Sequence, residues 1–149
     1  MNPKILLVPF LPWWPIPSAK SAVPERYLDA VAVAESRGNP SAGGSTGDRG
    51  LFQFTAIAWE QTSRLRRAQG FEAFPFSKAF DPAISRIYAR TYFDFIERDL
   101  IRRRVVVSPA SLWLAWTLGP TGAADINHRL DQAPAYKVRG YYRLTAALR

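Results

Sequence analysis

At 149 residues, 48% of them hydrophobic, the chain is long enough for one domain with a proper core and too short for two. It contains no cysteine, which excludes a disulfide framework, a thiolate metal site and a cysteine nucleophile. Twenty Lys and Arg against twelve Asp and Glu give +8 and a pI near 10.3, which suits either a polyanionic partner (nucleic acid, anionic lipid or an acidic cell wall) or simply a basic, soluble surface.

The N-terminus has the pattern of a secretory signal peptide. Met1 to Lys4 carries positive charge, Ile5 to Ile16 is apolar, and Ala19-Lys20-Ser21 offers small residues at both positions a signal peptidase reads, which puts cleavage before Ala22. Pro9, Pro12, Pro15 and Pro17 sit badly in a helical leader, so the competing reading is a Pro/Trp-rich arm. The apolar run falls short of the roughly 20 residues a membrane-spanning helix needs. On either reading residues 1–21 stand apart from a domain over residues 22–149.

Beyond the leader the periodicity is helical. Pro24 suits a first helical position and Tyr27, Leu28, Val31 and Ala32 share a face, which predicts a helix over Pro24 to Ser36, stopped by Arg37-Gly38-Asn39-Pro40. A loop with Gly43, Gly44 and Gly47 runs to Gly50, and a second helix is predicted to start within Leu51 to Thr55 and end near Gly70. Asp81-Pro82 opens a long helix carrying Ile84, Ile87, Tyr88, Phe95, Ile96 and Leu100. Ser108-Pro109 opens a shorter one, stopped by Gly119-Pro120, and a last helix is predicted between Pro134 and Arg149. Val105 to Val107 has strand-like composition but is too short to build a sheet. The fold class is all-α, or α with a minimal β element, with about five or six helices.

Glu35 is the residue with the most chemical promise. Val31 to Ala34 are apolar, so its carboxylate sits where an amphipathic helix ends against a turn, a place that can partly desolvate it and that disfavours its charge, although a Glu at a helix end, taken alone, is ordinarily a solvated surface residue. Both effects raise a carboxyl pKa, as a general acid working near neutral pH requires. Ser36 beside it is placed to orient it by a hydrogen bond. The glycine-rich loop lets backbone approach a ligand, and Phe52-Gln53-Phe54 then sets one amide between aromatic rings, a combination that suits a sugar. Phe54 reads as core. No second carboxylate pairs obviously with Glu35, because Asp48 lies in the loop and Glu60 and Glu72 lie on a different segment.

Glu35-Ser36, Asn39-Pro40 and Gly50-Leu51-Phe52-Gln53-Phe54, in that order and spacing, resemble the transglycosylase SLT domain, the lysozyme-like helical fold of lytic transglycosylases. Leu114 to Pro120 falls where that family has an A-x-N-x-G-P stretch, with Thr117 in place of the usual asparagine. Tyr136, in Ala135-Tyr136-Lys137-Val138, is the best match for the family's late cleft tyrosine, with Tyr141 and Tyr142 as alternatives. The resemblance runs from Val23 to Tyr142.

It implies an enzyme that cleaves the MurNAc-GlcNAc bond of peptidoglycan. Glu35 would protonate the leaving oxygen and then act as base on the sugar's C6 hydroxyl, closing a 1,6-anhydro ring. Ser36 would support Glu35, and Phe52, Gln53, Trp116, Thr117 and Tyr136 would bind the glycan. The resemblance implies no cofactor, no metal and a periplasmic or secreted location. Around Thr117 the sequence is closer to phage-tail or secretion-associated muramidases, so a hydrolytic product and an apparatus or phage-tail partner stay open.

Two rivals remain at this stage. One is a catalytically silent wall-binding module on the same fold. The other is a basic nucleic-acid-binding helical protein, against which stand the scattered basic pairs, the absence of a helix-turn-helix pattern and the leader. His128 is the only histidine and reads as structural or solvated. Trp59 and Trp113 read as core, and the arginines around Arg64 to Arg67 and Arg98 to Arg104 as complements to helix dipoles.

Overall fold

A computed structural model describes residues 23–149, so the reading of residues 1–21 as a leader or arm lies outside it. Its α-helices are α1 (Glu25–Ser36), α2 (Ala56–Ala68), α3 (Pro82–Arg102), α4 (Pro109–Asp125) and α5 (Ala135–Ala147), with short 3-10 segments at Phe76–Phe80 and Leu130–Gln132. Among the described residues the β structure is confined to isolated bridges, Gly43 to Arg49 and Arg49 to Phe54.

The start signals work through side-chain caps. Asp81 accepts the backbone N–H groups of Ala83 and Ile84 at 3.0 and 3.1 Å, and Pro82 sits where its missing N–H costs nothing. Ser108 and Ser111 cap α4 reciprocally, each hydroxyl accepting the other's backbone N–H. Thr55 caps α2, which therefore begins at Ala56, one residue beyond the expected start within Leu51 to Thr55. Gly50 (φ 74°) and Gln53 (φ 47°) are left-handed, so Leu51 to Phe54 is spent on a tight turn. Gly119, at φ 74° and ψ 158°, breaks α4, and helix resumes from Pro120 to Asp125.

Helix α3 is the central element, packed against α1, α2 and α4. Its Tyr88, Phe93, Ile96 and Leu100 are buried with Leu28 and Val31 of α1 and Trp113 of α4. Buried rings of this kind contribute most of the hydrophobic stabilisation, each on the order of a few kcal/mol. Trp59 stacks on Tyr88 at 3.7 Å and donates its indole N–H to the Phe74 carbonyl. Trp113 donates to the Lys137 carbonyl at 2.9 Å, and Gly140 lies so close to its ring that a Cβ there would fall 2.4 Å from Cζ2. Those two contacts pin the start of α5 to α4. The arginine clusters form local ion pairs, Arg64 and Arg67 with Glu60, and Arg102 and Arg103 with Asp99.

Candidate functional site

Helix α1 ends one residue after Glu35. Arg37 turns left-handed (φ 57°), and the N–H groups of Arg37 and Gly38 fold back onto the Val33 and Ala32 carbonyls. Arg143 of α5 donates to the Ala34 carbonyl at 3.1 Å, satisfying another exposed end of the helix. The half-buried Glu35 side chain then lines a cavity of about 350 Å³. Gln53, Trp116 and Thr117 line the same cavity, and so do Asp48, Tyr92 and Lys137.

The closest partner of Glu35 is Trp116, whose indole N–H donates to Oε1 at 3.0 Å. The indole cannot swing freely. It stacks on Phe93 at 4.7 Å and meets the rings of Phe54, Tyr92 and Phe52 edge-on at 5.2, 5.7 and 6.3 Å. The sequence marks Trp116 as a glycan-binding residue; in the structure one face of its ring is taken by Phe93 and its N–H holds the carboxylate.

Burial pushes the Glu35 carboxyl up to about 7, against the opposing influence of Lys137, the Trp116 hydrogen bond and Arg143, with Asp48 adding to the rise. Trp116→Phe removes a donor that favours the ionised form while keeping an aromatic ring against Phe93. The Glu35 titration, followed by the carboxyl carbon shift in NMR, is expected to move upward by roughly half a unit. An unchanged or lowered midpoint would mean that this bond has no part in setting the acidity.

Three expectations are corrected. The Ser36 hydroxyl donates to the Ala32 carbonyl at 3.0 Å, one turn back along its own helix, and so does not orient Glu35. Phe52 is fully buried, because the left-handed turn at Gln53 points its neighbour inward; it supports Trp116 from below and has no face to give a ligand. Tyr136 is 58% exposed and does not line the cavity, since the first turn of α5 carries Lys137 there and leaves Tyr136 outside. Tyr141 and Tyr142 do not line it either.

Two residues have different tasks from those foreseen. Gln53 faces the cavity, but its amide nitrogen donates to the Ala42 and Gly50 carbonyls at 3.1 and 2.9 Å, stapling the glycine-rich loop. Asp48, discounted for its place in the loop, is folded into the cavity wall. Its Oδ2 accepts from the Thr46 hydroxyl at 2.8 Å, while Oδ1 is buried without a hydrogen-bond partner among the described residues. Tyr92 was missed because its spacing from Tyr88 and Ile96 marks it as core, and at 4% exposure it is core and cavity wall together. Among the described residues no group of His, Asp and Glu is arranged to hold a metal ion.

The family model of the transglycosylase SLT domain matches residues 13–108, more than half of the chain. The chain belongs to this family. No curated protein and no solved structure matches it. As an SLT domain it has the all-α lysozyme-like fold, and its function class is cleavage of glycosidic bonds in peptidoglycan. The matched stretch of the SLT domain holds Glu35, Asp48, Gln53 and Tyr92, while Trp116, Thr117 and Lys137 lie beyond it and reach the cavity through α4 and α5. Among the described residues no helix is long and apolar enough to cross a membrane.

Proposed function

We propose that this SLT domain is a peptidoglycan lytic transglycosylase in which Glu35 acts first as acid and then as base. The observation that carries the reading is the Glu35 carboxyl, half-buried in the cavity, held by an indole N–H and pushed by burial up to about 7. Protonated Glu35 gives its proton to the glycosidic oxygen as the bond from C1 of N-acetylmuramic acid breaks, and the sugar's own N-acetyl carbonyl stabilises the positive charge at C1. Glu35, now a carboxylate, takes the proton of the C6 hydroxyl while O6 bonds to C1. The proton returns to Glu35, a 1,6-anhydro sugar forms, and no water is consumed. A second carboxylate is unnecessary because the substrate supplies the stabilising group.

Asp48 favours a second reading, hydrolysis between two carboxylates. It lines the cavity with Glu35, and its buried Oδ1 has an unmet capacity to accept a hydrogen bond, from water among other donors. Mass spectrometry of muropeptides released from purified sacculi separates the readings, because anhydro and hydrated products differ by one water. For the transglycosylase, anhydro products are expected from both wild type and Asp48→Asn, with rates within about threefold of each other. Hydrated products whose formation collapses in Asp48→Asn would instead establish the two-carboxylate hydrolase. A wild-type protein that binds sacculi and releases nothing would be the silent wall-binding module. The substrate lies outside the cytoplasmic membrane, which accords with a signal peptide at residues 1–21 and a periplasmic or secreted enzyme.

A further inference from the structure

Lys137 is an unusual component of the cavity. It lies in the first turn of α5, where a cation opposes the helix dipole, so its presence there is not explained by helix stability. Its backbone is fixed by the core, through the Trp113 hydrogen bond to its carbonyl and the contact of Gly140 with the Trp113 ring. Its half-buried side chain lines the cavity with Glu35, its ammonium 5.2 Å from the Tyr136 ring centroid. The ion pairs among the described residues are all made by arginines, and none involves Lys137. The Glu35 carboxyl is the acid whose ionisation this ammonium favours, but it is neutral when protonated and, among the described residues, no carboxylate lies within ion-pair distance of Lys137, so the ammonium is left to meet an anion brought by the ligand.

The glycan strand supplies such an anion. Every N-acetylmuramic acid carries a lactyl ether at C3 that ends either in a free carboxylate or in an amide to a peptide bearing carboxylates. We propose that Lys137 binds the carboxylate carried on the lactyl arm of the N-acetylmuramic acid seated beside Glu35, and so selects acidic wall glycan over neutral sugar strands. This rests on the reading of the cavity as the glycan-cleaving site.

The test uses the full chain carrying Glu35→Gln, which has no acid left for Lys137 to tune, and measures binding by calorimetry. The probes are peptide-free strands with free lactyl carboxylates, the same strands methyl-esterified, and peptide-bearing strands. Adding Lys137→Met is expected to weaken binding of carboxylate-bearing strands about five- to tenfold and leave the esterified strands unchanged, while Lys137→Arg retains most of the affinity. A loss confined to peptide-free strands assigns the lactyl carboxylate, and one confined to peptide-bearing strands assigns the peptide's. Equal loss on esterified and free strands, or no loss on either, overturns the proposal. If wild type still releases muropeptides, such a result leaves the cleavage reading standing; if wild type releases none and no strand binds, both fall.

Discussion

Glu35→Gln is expected to abolish muropeptide release from purified cell wall, a fall of at least about 10³-fold, while the protein becomes more stable at neutral pH. The two effects have one cause. The folded protein holds the Glu35 proton up to about 7, whereas the unfolded chain releases it near 4.5. Below about 4.5 the carboxyl is neutral in both states and costs nothing. Between 4.5 and about 7 the unfolded state ionises first, so stability falls as pH rises, and above about 7 the full cost of burying the charge is present. Glutamine never ionises and keeps an oxygen to accept from Trp116. The stability gain should therefore be absent at pH 4, open through that window and reach roughly 1–3 kcal/mol above it. Thermal unfolding across pH, beside a lysis assay, reads both. Lysis at the wild-type rate by Glu35→Gln would overturn the catalytic assignment, and lost lysis with lowered stability at all pH values would trace the loss to a damaged fold.

On the proposed mechanism the same titration would shape the activity of wild type. The proposed acid step needs protonated Glu35, so muropeptide release measured across pH is expected to decline as pH passes about 7. Burial thus costs stability at neutral pH and raises the carboxyl, and Lys137, Trp116 and Arg143 keep that rise from going further.

What was legible in the sequence was local. Helices α3 and α4 announce themselves through Asp81-Pro82 and Ser108-Pro109, since a cap acts on backbone groups within one turn of itself; Pro24 marks the start of α1 without a side-chain cap and lies one residue before the helix, not in its first position. Glu35 and Gln53 stand out because short motifs at a fixed spacing within one stretch of chain carry them. The misjudged residues depend on chain direction in space. Ser36 was assigned to Glu35 for its adjacency in sequence, but successive helical side chains diverge, and the partner came from Trp116, 81 positions away. Phe52 and Tyr136 each sit one residue from a cavity-lining neighbour, and a turn or helix sends consecutive side chains in different directions. Lys137 and Asp48 carry no signature of their own; they matter because α5 and the loop converge on the end of α1.

That convergence makes a strong demand at Gly50, and Gly50→Ala is expected to remove several kcal/mol of stability, enough to leave little or no folded protein at 37 °C. The left-handed backbone there (φ 74°) costs a side-chain-bearing residue on the order of 1 kcal/mol. The larger part is steric, for a Cβ would lie 1.8 Å from the Ala79 carbonyl oxygen and 2.8 Å from its carbon. Those atoms are backbone and have no rotamer into which to retreat. Gly50 also donates to the Ala42 carbonyl at 2.9 Å and accepts from both the backbone and the amide of Gln53. The segment is further clamped where the Arg49 guanidinium lies 4.3 Å over the Phe76 ring. Relief by moving the loop would therefore pull Gln53 and Asp48 from the cavity wall. Calorimetric unfolding of Gly50→Ala beside Gly47→Ala separates backbone strain from contact: Gly47 is also left-handed (φ 85°) but a Cβ there meets nothing within 4 Å. The Gly47 variant should lose about 1 kcal/mol and stay active, and a Gly50 variant no worse than it would mean that the loop does not need this close approach to hold the site.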